Sequence, residues 1–265
     1  MSTRRRRCPI AMAGACAAVG LAILTAGCSR SATASDPPPA SGSQVTVFAA
    51  SSLTAAFTTI GRQFETEHPG TTVRFNFAGS ADLVAQLQQG APADVFATAD
   101  IATMDKALTT GLVSGSPKGF ATNSLMIAVP PSNPGMIQDF ADLTKPGTHV
   151  VVCAPVVPCG AATKTVERKT GVTLTPVSEE SAATDVLNKV ASGEADAGVV
   201  YVTDVKRAAG RVTGIAIATN VNAVNTYPIA VLASSSSPTL AQQFESMVLG
   251  PLGQRVLADA GFAVQ

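Results

Sequence analysis

From Gln44 onward, short β-rich runs alternate with stretches of helical spacing, and this alternation limits the fold more than any other feature. QVTVFAA, TTVRFNFA and ADVFATA read as strands. LTAAFTTIGRQFETEHPG puts Leu53, Phe57, Ile60 and Phe64 on one helical face and stops at Pro69 and Gly70. SADLVAQLQQG turns Leu83, Val84 and Leu87 inward and stops at Gly90, and IATMDKALTTG reads as a third helix. Strand, helix, strand, helix in this order implies parallel strands joined by crossover helices.

The pattern then restarts. SLMIAVP is a strand, followed after PPSNPG by a helix near residues 137–143. THVVVCAP is a strand and GAATKTVERKTG a helix; SEESAATDVLNKVASG is a further helix and DAGVVYVT a strand. GIAIAT and the strand TYPIAVLASS lead to a C-terminal segment holding two helices, and there is no short-period repeat. Two α/β lobes are expected, with ligands at the carboxyl ends of the strands.

The N-terminus reads differently. Arg4, Arg5, Arg6 and Arg7 precede a small, apolar stretch over residues 11–26, ending in LTAGC at Cys28. This is a secretory signal with a lipobox-like end; Thr25 stands where the usual motif has leucine, with Leu24 one place back. A short anchor helix or an ordinary cleaved signal is the alternative reading. The arginines leave twin-arginine export open, without its full motif. Residues 29–43, SRSATASDPPPASGS, are too poor in apolar residues to offset their ordering entropy and read as a tether from a lipid on Cys28 to the domain. Without residues 1–28 the chain keeps fourteen basic and eighteen acidic residues and no basic run, which argues against a nucleic-acid partner. Two further cysteines remain, Cys153 and Cys159 in VVCAPVVPCG. In an exported protein they form a disulfide or stay as two buried thiols. A zinc site is disfavoured, since His68 and His149 lack metal-ligand spacing to them.

The chemistry-bearing residues fall where strands give way to helices: Ser51 and Ser52 in FAASSL, Gly79 and Ser80 in NFAGSADL, Pro158 to Gly160 in CAPVVPCGAAT, and Ser181 to Ala183 in SEESAATDV. A helix N-terminus presents free N–H groups and a partial positive charge, so each junction can seat an anion. Each serine can equally be a plain N-cap. FAASSL, FAGSAD and PCGAAT contain no lysine or arginine. A site built from them would hold a deprotonated oxyanion with hydroxyls and backbone N–H groups alone, and a protonated phosphate would also ask for an acceptor. Asp82, in the first turn after Ser80, has favourable interaction with the helix dipole as its plain role. No G-x-S-x-G elbow is present, and both histidines lie far in sequence from the serine junctions, which disfavours a serine hydrolase.

VTVFAASSL, FAGSADLVAQLQQGAPADVFATAD, NSLMIAV and GVVYVTD together resemble the molybdate-binding proteins of bacterial ABC importers, from about Val45 to Phe262. The resemblance implies a two-lobed type II periplasmic-binding-protein fold with the ligand in the cleft between the lobes. One lobe would span residues 44–122 and 226–265 and the other 123–225, with Asn123, Ser124, Tyr227 and Pro228 near the hinge. It also implies an oxyanion held by Ser52 with Ser51 beside it, by Ser80, by backbone N–H groups at Cys159 and Ala183, and by the Tyr201 hydroxyl. Cys159 departs from the smaller residue usual there, which a backbone donor tolerates. Tyr201 also has a plain reading as a buried strand aromatic.

The expected protein is thus an exported lipoprotein on the outer face of the cell membrane. It would act as a monomer without a cofactor, capture molybdate and tungstate without direct protein–metal bonds, and deliver them to an ABC permease. Sulfate or another oxyanion is the nearest alternative. A serine or cysteine enzyme on the same fold would need a base beside Ser52 or Cys159. A lipoprotein with an empty cleft would not need Ser52, Ser80 and Tyr201.

Overall fold

The computed structural model describes residues 43–264. The expected signal segment, the lipidated Cys28 and the tether up to residue 42 lie outside the described residues. Ser43, read as the end of the tether, instead opens strand β1 (Ser43–Ala50).

The first half follows the alternation. After β1 come a short 3-10 turn (Ser51–Leu53), α1 (Thr54–Glu67), β2 (Thr71–Ala78), α2 (Ser80–Gln88), β3 (Val95–Ala97) and α3 (Ile101–Thr109). β1 lies between β2 and β3 and pairs with both in parallel. Leu53, Phe57, Ile60 and Phe64 are all fully buried, as the helical spacing requires, and Leu83, Val84 and Leu87 face a smaller core with Phe48, Phe96 and Met104.

β4 (Val113–Val129) is far longer than the strand expected from SLMIAVP. The segment SGSPKG near its start belongs to the strand too, which runs through two register shifts, with Gly115 at φ 76° absorbing the irregularity. Segment 130–140 holds no α-helix, contrary to expectation; only a 3-10 turn at Ala141–Thr144 forms. Pro130, Pro131 and Pro134 oppose helix, Asn133 and Met136 take positive φ, and the Asn133 side chain pins both the N–H and C=O of Ile137.

The second half contains β5 (Val150–Cys153), α4 (Pro158–Thr170), β6 (Ser178–Glu180), α5 (Ala183–Ala191), β7 (Ala197–Tyr201), α6 (Val202–Arg207) and β8 (Thr213–Ala216). The expected single helix over SEESAATDVLNKVASG is a strand followed by a helix. The expected strand DAGVVYVT stops at Tyr201, where the Tyr201 N–H donates to the Asp204 carboxylate at 3.2 Å and α6 starts. β9 (Val224–Leu232), α7 (Pro238–Leu249) and α8 (Pro251–Ala260) close the chain.

The sheet order is β2-β1-β3-β9-β4-β7-β5-β6, with β8 beside β4. β5 pairs in parallel with β6 and β7, so each half keeps parallel strands. The long antiparallel strands join the halves. β4 pairs with β9 as far as Ser124 and Val224, then from Leu125 with β7. After β9, α7 and α8 return to the first half, where Phe244 packs edge-on against Phe57, Phe64 and Phe75.

Candidate oxyanion site

Four chain segments that are distant in sequence meet at one small cavity. Its walls are Ala50, Ser51 and Ser52 after β1; Ala78, Gly79 and Ser80 after β2; Pro158 and Cys159 at the start of α4; and Ser181, Ala182 and Ala183 at the start of α5. Ala99 and Tyr201 complete it. All six residues expected to hold an anion are therefore brought together. The cavity is small, with room for roughly one water or one small ion.

The serines are not helix caps. The 3-10 turn at Ser51, α2, α4 and α5 have no side-chain N-cap hydrogen bond. α3, by contrast, is capped by Asp100, whose carboxylate accepts from the Thr103 N–H at 2.9 Å. Leaving the first-turn N–H groups uncapped costs about 1 kcal/mol per helix end, unless a ligand takes the place of the cap. Cys159 and Ala183 sit in those first turns, at the cavity wall.

The hydroxyls are oriented by a second layer of side chains. The Ala99 N–H donates to Ser80 Oγ at 3.1 Å. Asn225 Nδ2 donates to the Tyr201 hydroxyl at 3.0 Å and to the Ala99 carbonyl at 2.9 Å. Asn123 Nδ2 donates to the Tyr227 hydroxyl at 3.4 Å, and that hydroxyl lies 3.0 Å from Ser52 Oγ. Once an oxygen accepts an N–H, its own O–H must find an acceptor. Ser80 is thus left with an O–H to donate into the cavity, and the Tyr201 hydroxyl, which also hydrogen-bonds the Tyr227 phenol, stands at the cavity wall. The Ser52 and Tyr227 hydroxyls share one hydrogen bond, in which either oxygen can donate, and Ser52 stands at the cavity wall.

No lysine, arginine, histidine, aspartate or glutamate lines the cavity. Burial, reinforced by the neighbouring Tyr227 phenol, pushes the Tyr201 pKa well above the ordinary tyrosine value, and burial likewise raises that of Tyr227. Both stay protonated and can donate. The arrangement offers hydrogen-bond donors and helix dipoles without a formal charge, which suits an anion carrying no proton of its own.

Asp82 lies beside this cavity, in a neighbouring hollow shared with Asp185 from α5. Burial first, then Glu180 and Asp82, raises the Asp185 pKa. The histidines sit elsewhere. His68 stacks on Phe64 and its Nδ1 is bonded to the Phe64 carbonyl, whereas His149 pairs with Asp196 at 3.8 Å.

Cys153 and Cys159 are joined in a disulfide, both sulfurs buried, between the end of β5 and the first turn of α4. Gly160 follows, where a Cβ would fall 1.9 Å from the Ala154 carbonyl oxygen, so only glycine lets the chain turn this tightly. The bridge closes a loop with a separation of 6 residues, for which chain entropy gives about 2 kcal/mol. Replacing both cysteines by serine is expected to lower the stability of the oxidised protein by about that amount, read by urea unfolding. Identical midpoints for the two proteins would show that the bridge contributes nothing.

The sequence marks no role for Asn225 on β9, and the resemblance places Asn123 and Tyr227 only near the hinge, not as groups that orient the site. Their sole signal is that TNS and NTYP lie on the two long strands that pass behind the cavity.

A two-part sheet bridged by two long antiparallel strands, with helix N-termini from both parts meeting at one small cavity, defines a solute-binding protein. The sequence pattern of the bacterial extracellular solute-binding proteins matches residues 45–263, and the chain belongs to that family. It is 51% identical to a molybdate-binding protein (ModA) of Mycobacterium tuberculosis over 247 residues, covering 91% of this chain and 95% of that one. Its fold is similar to that of the periplasmic molybdate-binding protein of Azotobacter vinelandii, with a TM-score of 0.74 at 22% identity over 83% of this chain and 99% of that one. It is also similar to the sulfate-binding protein SubI of Mycobacterium tuberculosis, with a TM-score of 0.69 at 21% identity over 83% and 86% of the two chains.

Proposed function

We propose that this protein captures molybdate, and with it tungstate, outside the cytoplasm and delivers it to an ABC permease. The observation that carries this reading is the cavity itself: the hydroxyls of Ser52, Ser80 and Tyr201 and uncapped helix starts at Cys159 and Ala183, with no ionisable side chain other than the Tyr201 phenol among its lining residues. The 51% identity to a molybdate-binding relative supports the choice of anion. Ser51 adds the wall beside Ser52. The anion's oxygens would accept from these groups, and the metal atom would make no bond to the protein.

In this reading the lobes are residues 44–122 with 226–265, and residues 123–225. β4 and β9 serve as the hinge, where β4 changes partner between Ser124 and Leu125. The open form binds the dianion and closes over it, and the closed form is what the permease recognises. The protein works as a monomer, tethered by a lipid on Cys28. It binds without reacting: the Ser52 hydroxyl is paired with the Tyr227 phenol, and both histidines are committed elsewhere.

A thermal melt with molybdate, tungstate, sulfate and phosphate in turn tests the choice of ligand. A ligand at about 100 times its dissociation constant adds roughly 2.7 kcal/mol, a rise of about 5–10 °C for a domain of this size. The expected result is a rise with molybdate and tungstate only. The fold shared with a sulfate-binding protein makes sulfate the sharpest comparison; a rise with sulfate alone would replace the proposed ligand.

A further inference from the structure

Gly79 makes an unusually close approach across the cavity. A Cβ built on it would lie 2.3 Å from the carbonyl oxygen of Ser181 and 3.2 Å from its carbonyl carbon. Gly79 stands between β2 and α2 in the first half of the sheet; Ser181 follows β6 in the second. The contact therefore joins the two halves at the cavity wall, which both residues line.

Gly79 has φ −59° and ψ 136°, a backbone conformation open to any residue. Its lack of a side chain is thus not needed for a turn, unlike Gly90 at φ 87°. What needs it is the approach of the opposite lobe. We propose that Gly79 sets how far the lobes close, and that a methyl group here wedges them apart and weakens oxyanion binding without unfolding the protein. This inference rests on the binding reading above.

The opposing group is a backbone carbonyl, so it cannot rotate out of the way as a side chain would. To admit a Cβ, its oxygen must retreat from 2.3 Å to beyond 3.0 Å. Ser80 is the next residue on one side and Ala183 lies two residues on from Ser181. The retreat therefore separates donors that must grip the same small anion from opposite walls, and hydrogen bonds weaken steeply with such stretching. Losing one or two charge-assisted bonds corresponds to a Kd increase on the order of 100-fold.

The test compares the wild-type protein with Gly79→Ala and Gly79→Ser, using calorimetric titration with molybdate, stopped-flow kinetics and melting of the ligand-free proteins. The expected result is a Kd raised on the order of 100-fold in the alanine variant, and further in the serine variant. The loss should lie in faster dissociation, because the open form that meets the ligand is unchanged. Ligand-free melting temperatures should agree within about 2 °C. Wild-type affinity in the alanine variant overturns the inference alone, as does a loss matched by an equal fall in ligand-free stability. No binding of molybdate by the wild-type protein overturns the reading on which it rests.

Discussion

Removing two hydroxyls together, in a Ser52→Ala/Ser80→Ala protein, is expected to raise the molybdate Kd by about 10²- to 10⁴-fold. Each hydroxyl donates to a charged acceptor, and such hydrogen bonds contribute about 1.5–3 kcal/mol each; tenfold in affinity is about 1.4 kcal/mol. The two serines are buried, at 6% and 2% exposure, so water cannot readily take over their role. Ser80 should cost more of the two. Its oxygen also accepts the Ala99 N–H, which alanine would leave without that partner. At Ser52, alanine removes in addition only the bond to the Tyr227 phenol, which keeps Asn123 as a partner. Calorimetric titration of the single and double variants measures both effects. A double variant within about threefold of wild type, or roughly 0.7 kcal/mol, would show that the hydroxyls do not hold the ligand.

The second large effect is on stability. Phe244→Ala is expected to destabilise the protein by about 4 kcal/mol. Phe244 is fully buried, with ring centroids 5.9 Å from Phe57, 5.5 Å from Phe64 and 6.2 Å from Phe75. Truncation removes its transfer free energy, leaves a cavity between α1, β2 and α7, and breaks these edge-on contacts, which add roughly 0.5–1.5 kcal/mol per pair. The cluster joins the C-terminal segment to the first helix of the domain. Its loss therefore loosens the return of the chain to the first half of the sheet. A melting temperature lower by about 8–16 °C is expected, with the cavity residues themselves untouched. A fall of less than about 1 kcal/mol would show that the surrounding rings collapse into the space.

Much of this architecture can be read in the sequence because it is local. The spacing of Leu53, Phe57, Ile60 and Phe64 specifies a helix face whatever it packs on, and all four are buried. The junction residues were legible for the same reason: a small or hydroxyl-bearing residue between a strand and a helix has few places to go in an α/β fold. The serine of FAASSL, which alone could have been a cap, proves not to cap anything.

What escaped the sequence depends on partners far along the chain. Asn225 orients Tyr201 across a separation of 24 residues, and Tyr227 reaches Ser52 across 175. Neither pairing leaves a periodic trace. The strand expected from SLMIAVP begins eleven residues earlier, at Val113, because it pairs with β9, a partner more than a hundred residues away. The helix expected near residues 137–143 failed for a local reason, the Asn133 side chain closing a loop on Ile137 where apolar spacing alone suggested continuity.

The central claim is that a single oxyanion sits in this cavity and is held by neutral donors. A crystal structure of the protein grown with molybdate, with the molybdenum atom located by its anomalous scattering, tests it most directly. The account predicts one strong peak in the cavity, with the anion's oxygens within about 3 Å of Ser52 Oγ, Ser80 Oγ, the Tyr201 hydroxyl and the backbone nitrogens of Cys159 and Ala183. A molybdenum atom found elsewhere on the protein, or bonded directly to a side chain, would contradict it.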